Sequence, residues 1–212
     1  MLADIGNTHI HIYDGVDVIH LAHDVAISKY AKQDISYISV NTTLQDRIST
    51  QTNWIDISSD INLNGAYEGM GIDRQALCLS HSDGIFIDAG SAITIDIMDS
   101  GVYRGGFIML GLNTMIEGYR SISKALHTTI NREISIDKLP KTTRDGITYG
   151  IIAPIISIIK EHQNGKPTYF TGGDGKLLSS FVDGAIYDET ILFRGIEKSI
   201  NKKNYYSKDI IC

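Results

Sequence analysis

Apolar and polar residues alternate at the start of the chain: Leu2 to Ile5, a break at Gly6, then Ile10 and Ile12, and after Asp14-Gly15 the run Val16 to Leu21. Alternation is the period of a half-buried strand, and Asp-Gly between two such runs marks a hairpin. The chain therefore opens inside a sheet. From Ser28 to Leu63, short isoleucine-rich strand candidates (Ile35 to Val40, Trp54 to Ile57) stand between polar stretches. Gly71 to Leu79 reads as a loop entering a helix, with Asp73 early enough to cap its first turn.

Gly84 to Met98 repeats the logic of the N-terminus. A shift of 84 residues lays Asp4-Ile5-Gly6-Asn7 on Asp88-Ala89-Gly90-Ser91, and hairpin turns follow at Asp14-Gly15 and Ser100-Gly101. Such a long period predicts a duplication into two subdomains rather than a solenoid, divided near residues 80–85 into 1–83 and 84–212. After Gly105-Gly106 and Gly111, helices are predicted from Leu112 to Leu126, Thr143 to His162, Asp174 to Phe181 and Thr190 to Ile200. A short strand, Thr168 to Thr171, ends in Gly172-Gly173. Strands followed by helices in both halves predict α/β subdomains with antiparallel hairpins in mixed sheets.

Composition narrows the function. The 212 residues are 42% hydrophobic and 21% charged, as in an ordinary globular protein, and the 36 isoleucines favour strands. A net charge of −6 argues against a generic binder of nucleic acid or anionic membrane, and leaves room for a local basic pocket. Two cysteines, Cys78 and Cys212, supply neither a disulfide framework nor a C-x-x-C metal site, which suits a reducing cytoplasm. The first residues show no basic stretch before an apolar core, so no secretory signal is visible. The longest near-apolar run, Ile147 to Ile159, falls short of the roughly 18–20 residues that span a bilayer and reads as a buried helix.

Three glycine turns can carry chemistry. In Asp4-x-Gly6-Asn7-Thr8 the glycine lets backbone N–H groups approach a phosphate, Asn7 and Thr8 add donors, and Asp4 can hold magnesium directly or through water. A plain hairpin bonded by Asp4 and Asn7 would use the same residues. The second turn, Asp88-x-Gly90-Ser91-x-x-Thr94, favours the phosphate reading, because paired acidic turns can clasp a nucleotide. Gly172-Gly173 is a third close-approach site before a helix, or simple punctuation. In Gly69-x-Gly71-x-Asp73-Arg74 a carboxylate adjoins a guanidinium: Asp73 can accept a proton from an alcohol and Arg74 can pair with a substrate carboxylate, or the two are a helix cap and a solvated neighbour. The histidine pairs His9-x-His11 and His20-x-x-His23 lack further ligands and read as structural or surface residues. No P-loop sequence is present.

In order, these segments are D-x-G-N-T, G-x-D-R, D-x-G-S-A-x-T-x-D, Gly105-Gly106 with Gly111, T-x-x-G-I-x-x-G from Thr143 to Gly150, and Thr171-Gly172-Gly173. The series closely resembles type III pantothenate kinase, a bacterial enzyme of coenzyme A biosynthesis, over nearly the whole chain. The chain departs from the family pattern at Ser91, where Thr is usual, at Leu110, where Pro is common, at Gly146, where Ala is usual, and in a shorter stretch before Tyr67.

The resemblance implies the duplicated ribonuclease H-like fold of actin and hexokinase, with mixed sheets and an interdomain cleft. It implies ATP-dependent phosphorylation of the primary hydroxyl of pantothenate in the cytoplasm, by a homodimer. Asp4, Gly6, Asn7 and Thr8 match the ATP-phosphate and magnesium motif, and Asp73 matches the proton acceptor. Gly71, Arg74 and Thr143 match pantothenate-binding positions, with Tyr67 a further substrate contact. Asp88 matches the ligand of a monovalent cation, potassium or ammonium, and Ser91 an ATP contact; Gly172 and Gly173 are nucleotide-binding candidates. Two rivals are a different phosphotransferase or phosphohydrolase of the superfamily, and a non-catalytic relative of the kind described as transcriptional accessory factors.

Overall fold

The computed structural model describes residues 1–208, with side chains through residue 201; Cys212 lies outside the described residues. The first sheet is built from β1 (Leu2–Ile5), β2 (Ile10–Tyr13), β3 (Val18–Leu21), β4 (Ser36–Ser39) and β5 (Ile55–Asp56), ordered β3-β2-β1-β4-β5. β1, β2 and β3 form an antiparallel meander, while β4 runs parallel to β1 and β5 parallel to β4. The second sheet contains β6 (Gly84–Ala89), β7 (Ala92–Asp99), β8 (Val102–Leu110), β9 (Thr168–Thr171) and β10 (Ile186–Tyr187), ordered β10-β9-β6-β7-β8. β9 is parallel to β6 and β10 to β9, and the turns joining β6 to β7 and β7 to β8 are too short for anything but antiparallel neighbours. Each sheet is thus a three-strand meander whose first strand is extended by two parallel strands, so the duplication read from two acidic turns extends to the whole topology.

The helices are α1 (His23–Tyr30), α2 (Gln45–Gln51), α3 (Ile72–Leu79), α4 (Leu112–Ile122), α5 (Thr143–Gln163), α6 (Gly175–Ser179) and α7 (Ile191–Lys208). α1 and α2 lie in stretches between the strand candidates to which no element was assigned, because their short polar sequences carry little helical periodicity. The predicted helix from Leu112 ends at Ile122, and Lys124–Leu126 forms a separate single turn capped by the Ser123 hydroxyl. Two compact units result, and they are not two consecutive pieces of chain. One comprises Met1–Ser82, Met98–Arg104 and the described residues from Glu189 onward; the other comprises Asp83–Ile97 and Gly105–Asp188.

In the first unit Ile5, Ile10 and Ile12 are fully buried with Ala26, Ile27 and Trp54, whose indole N–H donates to the Tyr30 carbonyl at 3.0 Å. In the second, Ile85, Ile87, Ile93 and Ile95 pack against Ile151, Ile152, Ile155 and Ile159 of α5. The Ile147 to Ile159 run is therefore the buried helix its sequence predicts, and six of its seven isoleucines, all but the half-buried Ile158, are consumed by the core. α5 starts at a reciprocal cap: the Thr142 hydroxyl accepts from the Asp145 N–H at 3.1 Å and donates to the Asp145 carboxylate at 2.9 Å. Bonds from the Asn131 amide and Thr142 hold the Asp145 carboxyl below the usual carboxylate range, so the cap persists above that range and weakens as pH falls through the lowered value.

Candidate active site

The turn after β1 is closed by the Gly6 N–H donating to the His9 carbonyl at 3.0 Å. A Cβ on Gly6 would stand 3.3 Å from that oxygen, tighter than most side chains tolerate. The Gly6 carbonyl lies 3.0 Å from His23 Nε2 at the start of α1, so a side chain pins the turn from outside the motif. Asn7 and Thr8 are exposed at its tip, while Asp4 is half-buried on β1. Asp4 is the register partner of His11, and His11 of His20. Burial foremost, then His20 and His9, lowers the His11 pKa to about 4, so this neighbour of Asp4 is neutral near pH 7. Among the described residues no group of three or more His, Cys, Asp or Glu is placed to hold a metal ion. Magnesium does not need such a group, because it is commonly held by one or two carboxylates with phosphate oxygens and water completing the shell; Asp4 beside an exposed turn fits that requirement.

The segment Gly71–Arg74 shows why its residue types occur together. Gly71 is the residue before α3, and the Asp73 carboxylate leans back over it: a Cβ on Gly71 would stand 2.6 Å from Asp73 Oδ1. Asp73 Oδ1 also accepts the Arg74 N–H at 2.7 Å, one of the donors a helix start leaves open. The carboxylate is thereby fixed at the helix mouth, half-buried. Arg74 is 5% exposed. Its Nη1 donates to the Tyr67 hydroxyl at 2.8 Å and its Nη2 to the Tyr103 hydroxyl at 3.3 Å, and its guanidinium carbon lies 5.9 Å from the Tyr67 ring centre. The structure thus brings Tyr67, Gly71, Asp73 and Arg74 together. It adds Tyr103, which lies in none of the sequence motifs and is buried on β8.

In the second unit Asp88 stands near the end of β6, opposite Thr171 of β9. The loops after these two strands interlock. Gly172 adopts a φ of +82°, and a Cβ there would collide with Asp88 Oδ1 and stand 2.7 Å from the Ala89 carbonyl oxygen. The Asp174 N–H donates to that same carbonyl at 2.9 Å. From the other side the Gly111 N–H donates to the Ser91 carbonyl at 3.2 Å, and a Cβ on Gly111 would lie 2.5 Å from the same oxygen. Asp88, Ala89, Ser91, Gly111 and Gly172 therefore form one cluster of closely packed backbone, with Ser91 exposed and open space at Gly173. Such a cradle can take an anion at its N–H groups, and the Asp88 carboxylate offers oxygen to a hard cation. Thr143 is exposed at the first residue of α5, held there by the Thr142 cap.

Residues 35–164 match the family model of type III pantothenate kinase. The type III pantothenate kinase of Campylobacter jejuni is 38% identical over 202 residues, covering 95% of this chain and 97% of that protein. A solved structure from the same species, assigned to the Baf family of transcriptional activators, has a TM-score of 0.87 at 37% identity and covers 96% of this chain and 98% of that one. A structure described as a 2-dehydro-3-deoxygalactonokinase from Sinorhizobium meliloti has a TM-score of 0.56 at 9% identity, covering 93% and 97%. That last likeness shows the fold alone, an α/β architecture with two mixed sheets. With 38% identity over nearly the full length of both chains and a family model matched over residues 35–164, the chain belongs to the type III pantothenate kinase family.

Proposed function

We propose that the protein transfers the γ-phosphoryl group of ATP to the primary hydroxyl of pantothenate, giving 4′-phosphopantothenate and ADP in the cytoplasm. The observation that carries this reading is the Gly71–Arg74 segment, where a carboxylate fixed at a helix mouth adjoins a buried guanidinium. As the hydroxyl oxygen bonds to phosphorus and the bond to ADP breaks, Asp73 takes the hydroxyl proton. Arg74, with Tyr67, Gly71 and Thr143, binds pantothenate, the guanidinium pairing with its carboxylate. Asp4, Gly6, Asn7 and Thr8 hold ATP phosphates and magnesium; Ser91, Gly172 and Gly173 contact the nucleotide; Asp88 takes a monovalent cation. The cations supply positive charge against the phosphates, and the chain's own contribution is backbone N–H groups and positioning. A transcriptional role has less support, since a net charge of −6 is poorly suited to DNA.

Coupled ADP release tests the reading: it should require pantothenate, with a product of the mass of phosphopantothenate. ADP release independent of pantothenate would overturn it. The same assay tests Asp88, because replacing potassium by sodium should depress turnover strongly. Equal rates in both salts, with no stimulation by ammonium, would remove the cation role.

The homodimer belongs to this proposal. Six of the seven α5 isoleucines are buried in the core and offer no partner face. Apolar surface lies instead on the edge strand β8, where Ile108 and Leu110 are both 60% exposed, and at Ile122 of α4. An exposed apolar edge strand is a ready pairing site. Light scattering should give twice the chain mass, and Ile108→Lys should shift it toward the monomer; a fully active monomer would refute the dimer. Among the described residues no helix is long and apolar enough to cross a membrane.

A further inference from the structure

We infer that Tyr103 is a positioning residue for pantothenate recognition: it orients Arg74 so that the guanidinium meets the substrate carboxylate. The inference rests on the reading of Arg74 as the carboxylate's partner and goes beyond it to a residue outside every motif. A guanidinium presents its N–H donors in a rigid planar fork, so its direction decides what it can pair with. Here each Nη group has a phenol: Tyr67 on one at 2.8 Å, Tyr103 on the other at 3.3 Å. A phenol oxygen accepts from a fixed direction, so these bonds set the orientation of the plane.

The two tyrosines differ in how firmly they are held. Tyr67 is half exposed, whereas Tyr103 is 7% exposed. The Tyr103 N–H donates to the Asn64 carbonyl at 2.9 Å. Gly65, at φ +85°, lies so close that a Cβ would stand 2.8 Å from the Tyr103 carbonyl oxygen. Strand β8 is thereby bolted to the loop that carries Tyr67, and the two rings lie 6.3 Å apart. Tyr103 is the fixed point of the group: its backbone orders the Tyr67 loop and its hydroxyl aims Arg74.

The test compares wild type, Tyr103→Phe, Arg74→Ala and the double variant, using pantothenate and its alcohol analogue, in which the carboxylate is reduced to a hydroxymethyl group. Tyr103→Phe keeps the ring and removes only the hydroxyl. It should raise KM for pantothenate about 5-fold or more, the scale of a hydrogen bond to a charged group, with kcat and KM for ATP nearly unchanged. The preference for pantothenate over the alcohol, a ratio that partial unfolding cannot move, should shrink by the same factor. In the Arg74→Ala background the Tyr103 change should add nothing. A wild-type preference ratio in Tyr103→Phe, or an equal effect with Arg74 absent, would overturn the role of Tyr103. If Arg74→Ala itself kept the preference, the underlying reading of Arg74 would fall instead.

Discussion

Asp73→Asn should lower turnover by about 10²-fold or more, the range for loss of general-base assistance. An alcohol is far too weak an acid to release its proton to water before attack. A carboxylate within hydrogen-bond reach both orients the hydroxyl and takes the proton as the bond to phosphorus forms. Asparagine keeps the shape and removes the basic site. The structural costs are small, because the contact Asp73 Oδ1 makes with the Arg74 N–H at 2.7 Å can be reproduced by an amide oxygen, and the space over Gly71 is filled equally. Melting temperature and ATP binding should therefore stay close to wild type, the nucleotide being assigned to the turns at Asp4 and Asp88. Turnover of folded Asp73→Asn near the wild-type rate would return Asp73 to the role of a helix-start residue.

The residues proposed to carry chemistry were legible because most of their requirements are local and leave marks in sequence. Gly71 must lack a Cβ for the Asp73 carboxylate to lean over it, Gly172 occupies a left-handed conformation against Asp88, and Gly6 closes a turn onto the His9 carbonyl. Gly71 and Gly6 meet their partners two and three positions away, whereas Gly172 meets Asp88 across 84 and was marked only by its Gly-Gly doublet; the recurrence of Asp-x-Gly at Asp4 and Asp88 exposed the duplication. Long strands and the isoleucine-rich α5 were legible for the same reason, since one period runs through them. Residues whose roles come from other parts of the chain left no such mark. Tyr103 meets Arg74 across 29 positions, and α1 and α2 are short and polar enough that packing decides their conformation. The assignment of α7 to the first unit is also a tertiary fact, set where α7 meets α3.

That meeting point gives the second large expectation. Gly195 sits within α7 against α3, and a Cβ there would fall on the carbonyl oxygen of Ala76, with the carbonyl carbon at 2.8 Å and the Ser80 nitrogen at 3.2 Å. Two effects of Gly195→Ala oppose each other. Alanine favours a helix interior by about 1 kcal/mol over glycine. Overpacking in a closed core costs about 1–3 kcal/mol, and more where the obstruction cannot turn aside. Here the obstruction is backbone, so no rotamer relieves it and the helices must part, pulling Ala76, Leu77 and Ile196 out of contacts in which each is at most 2% exposed. The Lys198 ammonium bonded to the Ser80 carbonyl would be displaced as well. Overpacking therefore outweighs propensity, and Gly195→Ala should cost about 3 kcal/mol net, a fall in Tm of roughly 6–12 °C for a chain of this size. Activity should fall with it, because α3 carries Asp73 and Arg74 in its first turn and cannot shift without moving them. Thermal unfolding decides the matter: a Tm equal to or above wild type would mean that α7 yields locally and that the α3–α7 contact is not the fixed point of this unit.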